Sequence, residues 1–403
     1  MTPEFEARVR KAVDDGVLPF AVMLAKDKTG KIDYSFSVGN ASLKPGAPPA
    51  TPQTLLSIAS LSKLLTAIAV LQLVEQDILT LDTEVTQYLP VLASQPIITG
   101  FDAKTGQPIL AKRTQPIRLR HLLTHSAGTG YLMVSGTLRQ WAQATGRALP
   151  VPLSSTSAGG GGASVDTRFG YPLLFEPGAG WEYGSGLDWA GKLVETLTGG
   201  FLDDFVHENI LARVGVPRGG ITFHPGRFTD PIEPLAGMAT RGEGEGSGKL
   251  EFLETRFDAV AEAFGGEGAW GGMGEYIKVL ESLMRDDGKI LKPATAKLLF
   301  EGLLEGEAKK ALNESMEHPE WVVGVVPPGI EYNWSAAGLL FESGSHEHRK
   351  KGFLQWGGAW NLSWFIDREA GVCSVFGTQL RQTADPEVEK VIKEFEDIIY
   401  SKL

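Results

Sequence analysis

Cysteine is almost missing from this chain: Cys373 is the only one in 403 residues. That excludes an intrachain disulfide, fits a reducing compartment and leaves Cys373 as an expected buried strand residue. No apolar run reaches the ~18 residues of a membrane span. The first residues, Met1-Thr2-Pro3-Glu4, are acidic and amphipathic, unlike a secretion signal. Positive charge is also short: 38 Lys and Arg against 49 Asp and Glu give a formal net charge of -11. With no basic stripe to offset that balance, a nucleic-acid partner is not expected. The Gly-x-Ser-x-Gly elbow of α/β-hydrolases is absent. Gly242–Lys249 mimics a phosphate loop, but Leu250 stands where Ser or Thr must follow the lysine, and the spacing is wrong. It reads as a flexible acidic loop, and no cofactor is expected. These absences describe a soluble, cytoplasmic protein. The last three residues, Ser401-Lys402-Leu403, add a peroxisomal address as a second expectation.

What is present starts with Ser60-Leu61-Ser62-Lys63. The tetrad opens an apolar stretch, Leu64 to Val74, in which Leu64, Ile68, Leu71 and Val74 recur at helical spacing. Residues three apart are neighbours on a helix, so Ser60 Oγ and Lys63 Nζ are expected to meet at its N-terminus. A serine hydroxyl is a weak nucleophile at neutral pH and needs a base. A lysine serves as one only when desolvation disfavours its ammonium form. A helix N-terminus also offers orphan N–H donors to an oxyanion, the backbone N–H of Ser60 among them. The competing reading is a helix-capping serine and a solvated first-turn lysine.

Along the chain, Phe5, Val9, Ala12 and Val13 mark an amphipathic helix, and Phe20–Ala25 and Ile32–Val38 a strand hairpin. Ile117–Thr124, Leu187–Thr198 and Phe201–Val214 read as helices. Ser154–Ser164, with four consecutive glycines, reads as a mobile loop. Strands return at Trp321–Val326, Ser335–Phe341, Asn361–Ile366 and Val372–Thr378, before a terminal helix Pro386–Ser401. An early hairpin plus late strands implies one antiparallel sheet built from both chain ends, flanked by helices. The expected division is a sheet domain of residues 1–78 and 216–403 and an inserted, mostly helical domain of residues 79–215.

Two further motifs complete the pattern. Tyr183-Gly184-Ser185 precedes the Leu187 helix, and Trp356-Gly357-Gly358 precedes the strand at Asn361. In order and separation, they and Ser60-x-x-Lys63 resemble the three motifs of the penicillin-recognising serine enzymes: class C β-lactamases, DD-peptidases and related esterases. Leu79-Thr80-Leu81-Asp82, His121 to Gly128 and Gly271-Gly272-Met273 extend the likeness over most of the chain. Leu187 to Glu195 and Arg120 to His125 look most like the fungal lovastatin-pathway acyltransferases and related statin esterases.

The resemblance implies a β-lactamase-like α/β (α+β) fold and acyl transfer through a seryl intermediate. It makes Ser60 the nucleophile and Lys63 its base, or the group that keeps Tyr183 ionised. Tyr183 becomes the proton shuttle, and the N–H groups of Ser60 and Ala359 the oxyanion hole. Trp356 stands where those enzymes carry the Lys of Lys-Thr-Gly, and Ser185 where they carry an Asn. Both departures disfavour β-lactam or peptide substrates and favour an uncharged ester or thioester of an apolar, polyketide-like molecule. An acyl carrier protein is a possible donor. Trp356, Gly357, Gly358, Trp360, Tyr131, Phe175 and Ser185 are the expected substrate-binding residues. A β-lactamase or DD-peptidase, and a non-catalytic scaffold, are the alternatives. His121 and His125 are four apart on a helix, but no nearby carboxylate completes a metal site, so no metal is expected. His346 and His348 lie in a polar loop and are expected to be solvated.

Overall fold

A computed structural model describes residues 2–148, 164–227, 235–242, 248–253 and 262–403. The Gly159–Gly162 run, and all but the ends of the acidic Gly242–Lys249 segment, lie outside the described residues.

Seven strands form one antiparallel sheet from both ends of the chain. They are β1 (Phe20–Asp27), β2 (Asp33–Gly39), β3 (Glu331–Trp334), β4 (Leu339–Ser343), β5 (Leu354–Gly358), β6 (Leu362–Asp367) and β7 (Val372–Gly377). Their order in space is β3-β4-β5-β6-β7-β1-β2. The closure between chain ends is β1 on β7, with Val22 opposite Gly377 and Asp27 opposite Val372. Side chains alternate between two cores, as a period of two requires. Ala21, Met23 and Ala25 of β1 join Phe5, Val9, Val388 and Phe395 of the terminal helices α1 (Pro3–Asp14) and α5 (Pro386–Tyr400). Val22 and Leu24 face the larger core, which holds α2 (Ser62–Glu75), α3 (Gly186–Thr198) and α4 (Met273–Arg285). Cys373 is buried in β7, as its apolar surroundings suggested.

α2 is buried on every side, from Ser62 through Leu73. A helix apolar all round belongs in a core rather than at a surface. α3 begins after Ser185 and stops at Gly199, whose φ of 70° is the left-handed conformation that ends helices. Between residues 79 and 215 lie short helices, such as Leu119–Leu123 and Gly136–Thr145, and one hairpin (Ile97–Phe101 with Pro108–Ala111) that the sequence pattern did not signal. Among the described residues no helix is long and apolar enough to cross a membrane.

Three expectations are corrected. Trp321–Val326 is not a strand. Gly324 has a φ of 106°, and the backbone is held by side chains instead of a ladder: Gly324 N–H donates to Glu389 at 3.0 Å, and Val325 O accepts from Arg349 and Gln355 at 2.7 and 2.9 Å. Ser335–Gly338 turns the β3–β4 hairpin and does not begin a strand; β3 and β5 were not read as strands at all. Phe201–Val214 is helical but changes pitch twice, from α (Leu202–Val206) to a π turn (His207–Leu211) to a 3₁₀ turn (Ala212–Val214).

Candidate active site

Ser60 lies on a 3₁₀ turn, Ala59–Leu61, that leads into α2. Ala59 has a φ of 45°, a strained value for a residue with a side chain, and the turn is pinned from several directions. Ser62 Oγ donates to Ala59 O at 2.6 Å and accepts from Ala269 N–H at 3.0 Å, while the Tyr276 hydroxyl donates to Leu61 O at 2.9 Å. Ser60 is half-buried at the floor of a cavity of about 610 Å³. Its walls carry Tyr131, Phe169, Tyr183, Trp321, Trp356 and Trp360.

Behind Ser60 the lysine is almost wholly buried, at 1 % exposure. Lys63 Nζ lies 3.2 Å from Ser60 Oγ, 3.1 Å from the Tyr131 hydroxyl and 2.7 Å from Gly266 O. Both latter groups reach one carboxylate: Tyr131 donates to Asp188 Oδ2 at 2.7 Å, and Gly266 N–H to Asp188 Oδ1 at 2.9 Å. Burial, with Asp188 adding, holds the Tyr131 hydroxyl well above the usual phenol range. Burial, and then the Glu267 carboxylate, raise Asp188 to about 7 against the opposing pull of Lys63. Glu267 itself is paired with Arg168, 2.8 Å to Nε.

In front of Ser60 the contacts are aromatic. The Tyr183 ring lies 5.0 Å from Trp356, 5.4 Å from Trp321 and 4.7 Å from His125. Lys63 Nζ sits 4.7 Å from the centre of the same ring. Trp356 Nε1–H donates to the Tyr183 hydroxyl at 3.0 Å. Trp356 therefore supplies a neutral donor to the tyrosine oxygen as well as apolar surface. Among the described residues no hydrogen bond joins Tyr183 to Ser60 or Lys63, so the tyrosine meets the lysine through its ring face.

The glycines of the second and third motifs are explained by close approach. A Cβ on Gly184 collides with the backbone of Thr129 and Gly130; one on Gly357 collides with Val323 O, and one on Gly358 comes 2.8 Å from Ile58 O. Strand β5 thus lies directly against the turn that carries Ser60, and Ser60 and Ala359 both border the cavity. Gly184 N–H donates to His125 Nδ1 at 3.3 Å, and burial, helped by Lys63, holds His125 well below the usual histidine range. His121 Nδ1 accepts from Arg118 N–H at 3.2 Å.

The structure gathers Ser60, Tyr131, Tyr183, Trp356, Gly357, Gly358, Ala359 and Trp360 around one cavity, with Lys63 directly behind it. It does not bring in Phe175 or Ser185. Phe175 packs its ring on Gly180, and Ser185 is fully buried at the start of α3. Tyr131 does more than the expected wall, since it bonds Lys63. Sequence reasoning missed Asp188, Gly266, Trp321 and Arg381. The signals present were an acidic residue on the apolar side of a helix, five residues past Tyr183, and the Gly265-Gly266 pair.

The Beta-lactamase family model matches residues 5–395. The chain belongs to the Beta-lactamase family. Within that family it is similar to monacolin J acid methylbutanoyltransferase of Aspergillus terreus, 34 % identical over 98 % of this chain and 95 % of that one. It is equally similar to lovastatin esterase of Penicillium rubens, 34 % identical over 97 % and 96 %. Among solved structures, the LovD6 mutant of simvastatin synthase from Aspergillus terreus superposes with a TM-score of 0.88 at 33 % identity, covering 99 % of this chain and 96 % of that one. The β-lactamase-like fold expected from the three motifs is the fold observed.

Proposed function

We propose that this Beta-lactamase family member is a serine acyltransferase or carboxylesterase that carries an acyl group on Ser60. The observation that carries this reading is the 3.2 Å contact of Ser60 Oγ with Lys63 Nζ at the floor of a largely aromatic cavity. Ser60 Oγ attacks the carbonyl carbon of an ester or thioester while its proton passes to the Lys63 amine. The oxyanion is met by the N–H groups of Ser60 and Ala359, each such donor being worth ~3 kcal/mol in a transition state. The intermediate collapses, and the leaving oxygen or sulfur takes a proton delivered from the Lys63–Tyr183 side. An alcohol or water then repeats the steps in reverse and frees Ser60.

Relatives named for statin acids and statin esters support an apolar, polyketide-like substrate. So do the cavity's tryptophans. Of its charged lining residues, Arg168 and Glu267 neutralise each other, whereas exposed Arg381 has no side-chain partner among the described residues. Arg381 is suited to receive a carboxylate on such an acid. Met133 and Val134, 53 % and 44 % exposed at the rim, offer apolar surface to an acyl donor, a carrier-bound thioester included.

The deciding experiment is intact-mass spectrometry after a brief reaction with a p-nitrophenyl acyl ester, with and without a bulky polyketide alcohol. An adduct on Ser60 that the alcohol discharges as a new ester is the expected result; loss to water alone assigns an esterase. Unchanged turnover by Ser60→Ala would overturn the assignment.

A further inference from the structure

We propose that Asp188 is a positioning residue that aims the lone pair of the Lys63 amine at Ser60, acting through Tyr131 and Gly266. The inference rests on the reading that Ser60 carries the acyl group and Lys63 takes its proton.

A neutral lysine amine has two N–H donors and one lone pair. Its three neighbours here are Gly266 O at 2.7 Å, the Tyr131 hydroxyl at 3.1 Å and Ser60 Oγ at 3.2 Å. A carbonyl only accepts, so Gly266 takes one N–H. A tyrosine hydroxyl both donates and accepts, which leaves its direction undecided by itself. Asp188 decides it. The Tyr131 proton goes to Asp188 Oδ2 at 2.7 Å, and the oxygen has only lone pairs left for Lys63. Both N–H bonds of the amine are then committed, and its lone pair is left for the Ser60 hydroxyl.

The same carboxylate anchors the other side. Asp188 Oδ1 accepts the Gly266 N–H at 2.9 Å, fixing the peptide whose carbonyl holds Lys63. Asp188 is completely buried on α3. A buried carboxylate is costly unless each oxygen has a use. The space is closed around it: a Cβ on Gly266 would stand 2.5 Å from Asp188 Oδ2 and 2.6 Å from the Tyr131 oxygen. The charged and titratable groups facing Asp188 are Lys63 from α2, Tyr131, Tyr171, and Glu267 with its partner Arg168. Burial and Glu267 raise Asp188, so the test is run on the alkaline side, at pH 8, to favour the accepting carboxylate.

The test is single-turnover acylation of the full chain at pH 8 by a p-nitrophenyl ester, read as mass added at Ser60. In Asp188→Asn the amide oxygen keeps the Gly266 N–H, and the amide nitrogen donates to the Tyr131 oxygen. Tyr131 then turns its own proton toward Lys63 and occupies the lone pair. Acylation should fall by about 10², the scale of general-base catalysis, with the half-saturating ester concentration within about twofold of wild type. Tyr131→Phe removes the competing proton, so the double variant Asp188→Asn/Tyr131→Phe should acylate faster than Asp188→Asn alone. A purely structural role gives no such rescue. Should Asp188→Asn fail to fold, Asp188→Ala, which removes the acceptor without adding a donor, gives the same comparison. Wild-type acylation in Asp188→Asn, or a double variant no faster than the single one, overturns the inference while leaving Ser60 labelling intact. Wild-type labelling elsewhere than Ser60 overturns the functional reading, and this one with it.

Discussion

On one side of Ser60, five hydrogen bonds join Lys63, Ser60, Tyr131, Gly266 and Asp188. On the other, Tyr183, Trp321, Trp334 and Trp356 pack ring on ring, and Trp356 Nε1–H to the Tyr183 oxygen is the one hydrogen bond among them. Hydrogen bonds favour near-linear geometry and weaken steeply once the angle falls below about 120°. Ring packing fixes position through many weak contacts and tolerates exchange of one ring for another of similar volume. Under the proposed function, the first side aims the Ser60 proton, and the second shapes the space for the acyl group and the acceptor.

The largest effect should come from breaking the hydrogen-bonded side. Lys63→Ala removes the proton acceptor and leaves the Tyr131 oxygen and Gly266 carbonyl facing a void. Acylation measured by rapid quench should fall by about 10³, within the range of a lost general base. A loss under tenfold would mean that another group takes the Ser60 proton. Trp356→Phe keeps the ring contacts of the aromatic side and deletes its single hydrogen bond. About a tenfold fall in kcat with little change in KM is expected from one such bond to a reacting group. A larger fall would show that the aromatic side orients protons too.

Smaller effects separate substrate choice from rate. Trp321→Ala enlarges the cavity beside Tyr183; kcat/KM for bulky acyl esters should rise relative to short ones, and an unchanged ratio would place Trp321 outside the acyl path. Arg381→Ala should raise KM for an acid acceptor about fivefold over its neutral ester, as expected for a partly exposed ion pair. The smallest concerns the anchor of the aromatic wall. Glu389 of α5 accepts the Gly324 N–H and is raised to about 7, first by burial and then by Asp385. A carboxyl raised above its unfolded value of about 4.3 favours folding in its protonated form, so its contribution is full at low pH and is lost as pH rises through about 7. Glu389→Gln avoids that loss. Its melting temperature relative to wild type should be higher at pH 8.5 than at pH 5.5, by an amount equivalent to about 1 kcal/mol, roughly half of what a fully buried carboxyl would give, because Glu389 is only half-buried. The reverse order would remove Glu389 as a titrating anchor.

The parts of this molecule set by contacts near in sequence were legible without coordinates. Ser60 and Lys63 are one helical turn apart, so their meeting followed from spacing alone. α1 and α5 followed from the 3.6 period of their apolar residues, and the β1–β2 hairpin from two apolar runs joined by a turn. The closing of the sheet from both chain ends followed from where the strands fell. What depended on partners far away was not legible. Trp321–Val326 has a strand's composition, yet Gly324 and side chains from β5, α5 and the Arg349 loop hold it as a pocket wall. Phe175 lies shortly before the second motif and Ser185 closes it, yet neither lines the cavity. Asp188 is one acidic residue among many until α3, the Tyr131 loop and the Gly266 peptide converge on it. Local spacing is fixed by the covalent chain and its helical repeat, so the sequence by itself determined that Ser60 and Lys63 would meet. The direction of each proton depends on which atoms from distant segments arrive within 3 Å, and only the tertiary structure decided that.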